Sequence, residues 1–273
     1  QDPESSNATC IERHIENFAE ERRPIVWVFS GMGSQWPGMG ADLMKIPIFE
    51  SSIKRCHDIL AKKGVDLIKI ITSDDPTIFD NILHSFVGIS AVQLALTNVL
   101  KTVGLEPDYI IGHSFGELGC AYADNCLTEE EMILSSYYRG LVSIQNKNKT
   151  IFGSMAVVEV GYQQIKSMLD DGIHVACHNS GDSCTISGPA EIVAQFVEKL
   201  KIQNIFAKEL QCSNIAYHSP YINEFGPKLE NVLKSIIPNP KQRSEKWIST
   251  SVPKNEWNSV ESKYSSAQYH TNN

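Results

Sequence analysis

A length of 273 residues allows one large domain or two smaller ones, and a 42% hydrophobic content can bury a sizeable core. A formal net charge of -8 and a pI near 5.5 argue against nucleic acid or an anionic membrane as the main partner, although a local basic patch for phosphates is compatible with them. The seven cysteines are scattered and form no C-x-x-C pair, which indicates neither a zinc site nor a disulfide framework and fits a reducing, cytoplasmic setting.

Residues 1–23 are polar and charged and read as a linker or surface helix. They lack both an initiator Met and the apolar core of a signal peptide, so the chain reads as a segment of something longer. Asn7-Ala8-Thr9 and Asn148-Lys149-Thr150 match the glycosylation sequon, and without a secretion signal both are taken as chance. Ile25-Val26-Trp27-Val28-Phe29 is an apolar run of the kind buried in a parallel sheet. A glycine-rich loop, residues 30–40, follows it, and then a helical stretch over 41–63. Apolar residues at Val87, Val92, Leu96, Val99 and Leu100 predict a helix over 86–103. No apolar run approaches the ~20 residues that a membrane span needs. Tyr109-Ile110-Ile111 is strand-like, residues 117–123 read as a helix, and Thr128-Glu129-Glu130-Glu131 looks like the start of another.

From residue 152 the rhythm changes. Strands at 153–160, 173–178, 184–188 and 205–210 alternate with helices at 162–169 and 189–202, the βαββαβ order of a ferredoxin-like unit. A helix over 221–237 and a strand-like run over 247–252 come next, and residues 255–273 are polar and weakly patterned. The fold class is therefore α/β: an α/β-hydrolase-like large subdomain with a parallel sheet, plus an inserted ferredoxin-like small subdomain. The division is 24–151 for the first part of the large subdomain, 152–212 for the small one, and 213–273 for the return.

The chemistry centres on Gly112-His113-Ser114-Phe115-Gly116. This G-x-S-x-G lies between a strand and a helix, the context of a nucleophile elbow, where a serine hydroxyl is exposed at a helix N-terminus. A serine needs a base. His113 is its neighbour in the turn and points elsewhere, whereas His178 ends a strand of the small module. His218 lies where the small module hands the chain back, a natural cleft wall, and is the preferred base. The loop Gly31-Met32-Gly33 is not a dinucleotide fingerprint, because the sixth position is Trp36. It is either an ordinary glycine turn or the second half of an oxyanion hole, with the N–H groups of Met32 and Phe115 as donors. Arg139, in Tyr137-Tyr138-Arg139-Gly140, is either a surface charge or a clamp for a carboxylate. No metal site is indicated.

Five segments together carry a resemblance: residues 29–36, Gly112-His113-Ser114-Phe115-Gly116-Glu117, Tyr138-Arg139-Gly140, residues 177–189 and Ala216-Tyr217-His218-Ser219. From Pro24 to its end the chain resembles the malonyl/acetyl transferase domain of animal-type fatty acid synthase, insect synthases included, and more broadly polyketide synthase acyltransferases. The resemblance implies a Ser114–His218 dyad oriented by backbone groups, an oxyanion hole at Met32 and Phe115, and Arg139 pairing with a malonyl carboxylate. It also places Gln35 and Tyr217 at the substrate, with Tyr217 disfavouring α-branched units. Malonyl-CoA and acetyl-CoA would be substrates, an acyl carrier protein the acceptor, and no cofactor would be bound to the domain. The expected setting is a cytoplasmic, homodimeric synthase with a ketosynthase upstream. The family's fold continues further, so the resemblance also implies a C-terminally shortened domain. The competing readings are a serine hydrolase or thioesterase, with Asp170, Asp171 and Asp182 available in the order Ser…Asp…His, and an inactive fragment or docking module.

Overall fold

The apolar run Val26–Phe29 (β1) pairs in parallel with Tyr109–Gly112 (β2), from Val26 against Tyr109 to Phe29 against Gly112. This pairing is seen in a computed structural model, which describes residues 22–146 and 150–273. Residues 1–21 of the expected linker, and the asparagines of both sequons, lie outside the described residues. Parallel neighbours need a long crossover, and three helices supply it: α1 (Pro47–Ala61), α2 (Leu67–Thr72) and α3 (Ile82–Thr102). After β2 come α4 (Glu117–Ala123) and α5 (Glu129–Asn146). Thr128 starts α5 with a capping box. Its hydroxyl accepts from the Glu131 N–H at 3.2 Å, and the Glu131 carboxylate accepts from the Thr128 N–H at 2.7 Å.

Helix α3 corrects the expectation that no segment is long and apolar enough to span a membrane. It has 21 residues and a mean hydropathy of 1.5 in its most apolar window. A helix that is apolar all round belongs in a core. Here 67% of that window is buried, and α3 packs between α1 and α5 with Val87, Ala91, Leu94 and Ala95 fully enclosed.

The small subdomain runs β3 (Gly153–Val158), α6 (Tyr162–Ile165), β4 (His174–His178), β5 (Cys184–Pro189), α7 (Ala190–Ile202) and β6 (Ala207–Leu210). Its sheet has the order β4-β5-β3-β6 with all neighbours antiparallel, the ferredoxin-like arrangement. Ile186, Val193, Phe196 and Val197 fill its core. Two elements are shorter than their sequence suggests. Helix α6 stops at Ile165 because the N–H groups of Ser167 and Met168 turn back three residues, to Gln164 and Ile165. Strand β6 starts late because the Ile205 N–H still closes α7, donating to the Leu200 carbonyl at 3.0 Å.

The chain then returns through α8 (Gly226–Ile236), β7 (Trp247–Ile248), α9 (Val260–Lys263) and α10 (Ala267–Asn272). Helix α8 starts after residue 221 because Pro227 fits only its first turn. Strand β7 pairs in parallel with β2, giving the order β1-β2-β7. Its ladder ends at Ile248 because Thr250 turns to Glu117 instead. The weakly patterned tail is helical, and Ser259 and Ser266 cap its two helices.

Candidate active site

Strand β2 ends at Gly112, the chain turns through Ser114–Gly116, and α4 begins at once. Ser114 sits at the apex with φ 50°, a left-handed conformation that non-glycine residues hold only under constraint. The constraint is close packing. A Cβ at Gly116 would collide with the Phe29 carbonyl, and one at Gly31 would lie 2.6 Å from the His113 carbonyl. The glycine loop after β1 and the elbow after β2 therefore touch backbone to backbone.

Ser114 Oγ lies 2.6 Å from His218 Nε2, across 104 residues of sequence. His218 is itself left-handed at φ 55°, in a loop where Ser213 and Asn214 are as well. Burial, then the charge of Arg139, then that of His113 pull its pKa down to about 4. The imidazole is neutral near pH 7 and can take the hydroxyl proton. The other histidines are occupied elsewhere. His113 Nε2 is 3.0 Å from Asn179 Oδ1, and His178 stacks on Tyr162. The formal hydrolase order is not assembled either. Asp170 pairs with Lys199, Asp182 accepts from Ser180, and among the described residues no carboxylate is hydrogen-bonded to His218.

The Met32 and Phe115 N–H groups sit on the two abutting loops, and among the described residues neither has a hydrogen-bond acceptor. Gln35 is brought to the same loop. Its side-chain oxygen accepts from the Gly33 N–H at 2.9 Å, and its amide end reaches Ser85 Oγ at 3.5 Å, so it braces the turn. Arg139 points inward from α5. Its guanidinium lies over the Phe115 ring at 5.9 Å and donates to the His270 carbonyl at 2.5 Å and the Asn273 carbonyl at 3.3 Å. Burial draws its pKa down to about 10, which leaves it charged at neutral pH. Among the described residues no Asp or Glu side chain pairs with it. Tyr217 stands edge-on to Phe86 at 6.3 Å, and its hydroxyl donates to Ser143 Oγ at 3.1 Å. Among the described residues no group of three or more His, Cys, Asp or Glu side chains is placed to hold a metal ion.

Sequence reasoning missed two contributors. Glu117 is 1% exposed and accepts from Trp247 Nε1, Tyr269 OH, and the N–H and hydroxyl of Thr250. Burial raises its pKa, and the four donors oppose that. The Thr250 hydroxyl also lies 2.6 Å from the Gly112 carbonyl, so the network grips the base of the elbow. Asn179 is the other, linking the small subdomain to His113 beside the nucleophile. Both lie in segments that carry the resemblance, Glu117 at the end of the elbow and Asn179 within residues 177–189, but the resemblance assigns neither a role.

The acyl transferase domain family matches residues 26–273. The chain belongs to that family. This acyl transferase domain is 33% identical over 249 residues to the highly reducing polyketide synthase lcsB of Purpureocillium lilacinum, covering 85% of this chain and 10% of that protein. It is equally identical over 236 residues to the highly reducing polyketide synthase alnA of Emericella nidulans, covering 83% and 10%. The chain thus spans about a tenth of the length of these curated relatives. Among solved structures, the acyltransferase domain of the polyketide synthase PpsC of Mycobacterium tuberculosis superposes with a TM-score of 0.76 at 26% identity, covering 91% of this chain and 75% of that one. The malonyl CoA-acyl carrier protein transacylase of Coxiella burnetii shares the fold, with a TM-score of 0.69 at 23% identity over 77% of this chain and 67% of that one.

Proposed function

We propose that this acyl transferase domain moves malonyl and acetyl groups from CoA onto Ser114 and then onto the phosphopantetheine thiol of an acyl carrier protein. The observation that carries the reading is Arg139, a buried cation beside the Ser114–His218 pair with no Asp or Glu side chain paired to it among the described residues. A malonyl group brings a carboxylate. His218 Nε2 takes the Ser114 proton as Oγ attacks the thioester carbonyl, and the Met32 and Phe115 N–H groups receive the developing oxyanion. Collapse breaks the C–S bond, and His218 returns the proton to the departing CoA sulfur. The carrier thiol then gives its proton to His218 and attacks the acyl-serine, and Ser114 leaves with that proton. The domain needs no bound cofactor for these steps.

The parent in this reading is a cytoplasmic, homodimeric fatty acid synthase of animal type with a ketosynthase upstream. A second reading, a reducing polyketide synthase, is favoured by the fungal relatives at 33% identity. The product of the parent synthase separates the two: a saturated fatty acid supports the first, a chain retaining oxygen or double bonds the second. The transfer itself is tested with malonyl-CoA, with and without carrier protein. A malonyl adduct on Ser114 that waits for the acceptor supports transfer, whereas rapid release of free malonate without acceptor points to a hydrolase.

A further inference from the structure

Three successive carbonyls pin the chain where β1 runs into the glycine loop. The Phe29 carbonyl accepts from the His113 N–H at 2.9 Å. The Ser30 carbonyl accepts from Gln93 Nε2 at 2.8 Å, and the Gly31 carbonyl from the Ser34 hydroxyl at 2.8 Å. The Met32 N–H comes next and has no acceptor among the described residues. A trans peptide is planar, so its C=O and N–H point in opposite directions. Gly31 and Met32 share one such peptide. Ser34, holding its oxygen on one side, aims the Met32 N–H to the other. Gln93 holds the Ser30–Gly31 peptide just before it, so neither plane turns freely.

Gln93 reaches Ser30 against two local preferences. Its side-chain oxygen is buried without a partner among the described residues, which leaves that oxygen desolvated and unbonded. Gly119, inside α4, makes way for it: a Cβ there would lie 2.8 Å from that oxygen and 2.4 Å from the Phe29 ring. Glycine is itself unfavourable within a helix. We infer that Ser34 and Gln93 are positioning residues for acyl transfer, which hold the Gly31–Met32 peptide so that its N–H receives the oxyanion developing at Ser114. This rests on the oxyanion role given to Met32 above. Both side chains act through that one N–H and not on the acyl group itself.

The test reads the hydrogen bonding of the acyl carbonyl by infrared spectroscopy. Ser114 is loaded from malonyl-CoA carrying carbon-13 at the thioester carbon, and the isotope-edited carbonyl band of the ester is recorded. The wild-type band should lie below that of the same acyl-enzyme after unfolding. Ser34→Ala should move the band up toward the unfolded value. Losing a whole oxyanion donor lowers kcat roughly 100–1,000-fold, so a loosened one should lower Ser114 acylation about 10-fold. Malonyl and acetyl should suffer alike, with KM unchanged, because both form the same oxyanion. Gln93→Met, which lacks the amide, should do the same, and Ser34→Thr, which keeps a hydroxyl, should hold band and rate. If Gln93→Met fails to fold, Ser34→Ala alone decides. A low wild-type band that Ser34→Ala leaves in place overturns the inference, while the oxyanion reading stands. A wild-type band equal to that of the unfolded ester overturns the oxyanion reading, and this inference with it.

Discussion

Arg139 reaches a region whose other described contacts are carbonyls and an aromatic face. A hydrogen bond to a charged group contributes about 1.5–3 kcal/mol, or roughly 10- to 150-fold in rate. Arg139→Ala should lower malonyl transfer by that factor and leave acetyl transfer equal or better, because only malonyl presents a carboxylate. Equal loss of both in a steady-state comparison would refute the role. His218 makes a separate prediction about pH. With its pKa near 4, the imidazole stays a base down to mildly acidic pH, so the rate of Ser114 acylation should be flat from neutral to about pH 5 and fall by half near pH 4. Stability has the same sign. The unfolded histidine protonates near 6.5 and the folded one near 4, so the His218 contribution is complete above pH 6.5 and is lost as pH falls toward 4. The residue types at Ser114, His218 and Arg139 were legible in the sequence. Their meeting was legible only through the family resemblance, because the Ser114–His218 contact spans 104 positions and no local period encodes such a distance.

Among the elements, the strand, turn and helix around Ser114 were the most legible, since each is specified by residues within a few positions of the next. Strand β2, the Ser114–Gly116 turn and α4 fall where apolar run, glycine and helix former predict them. The ends of α6, β6 and β7 were less legible, because hydrogen bonds from elsewhere decide them. Gly116 shows how tightly the elbow is held. Gly116→Ala would drive a methyl group into the Phe29 carbonyl and push β1 off the turn. Such a clash at a packed backbone should cost about 3 kcal/mol and lower the Tm by roughly 6–12 °C in a domain of this size, with acylation lost in step. A thermal melt unchanged within 2 °C would count against that packing.

Across the whole molecule, three hydrophobic cores are present among the described residues, the third where the return segment packs on α5, and the candidate site draws on the segments around them. The large subdomain supplies Ser114 and Arg139, the return segment supplies His218, and the small subdomain reaches in through Asn179. The division into subdomains was readable from the change in strand and helix order near residue 152. The contact between His113 and Asn179 was not readable, because 66 positions separate them and no local pattern pairs the two segments. That contact is exposed, so its net contribution to stability is about 0.5–1.5 kcal/mol at most. Asn179→Ala should therefore shift the Tm by no more than a few degrees. It should still shorten the lifetime of acyl-Ser114 in the absence of acceptor, because it opens that side of the centre to water. The adduct half-life followed by mass spectrometry checks this, and an unchanged half-life would assign Asn179 a purely local role.

Ser114 and His218 share a backbone property that has nothing to do with proton transfer: both occupy conformations in which glycine would rest more easily. Replacing either with glycine discards the chemistry yet relieves about 1 kcal/mol of local strain. Ser114→Gly should then unfold at a higher denaturant concentration than the wild type. A library screened for robustness alone would drift toward inert proteins, and only a screen that also demands turnover would keep these two residues in conformations the backbone disfavours.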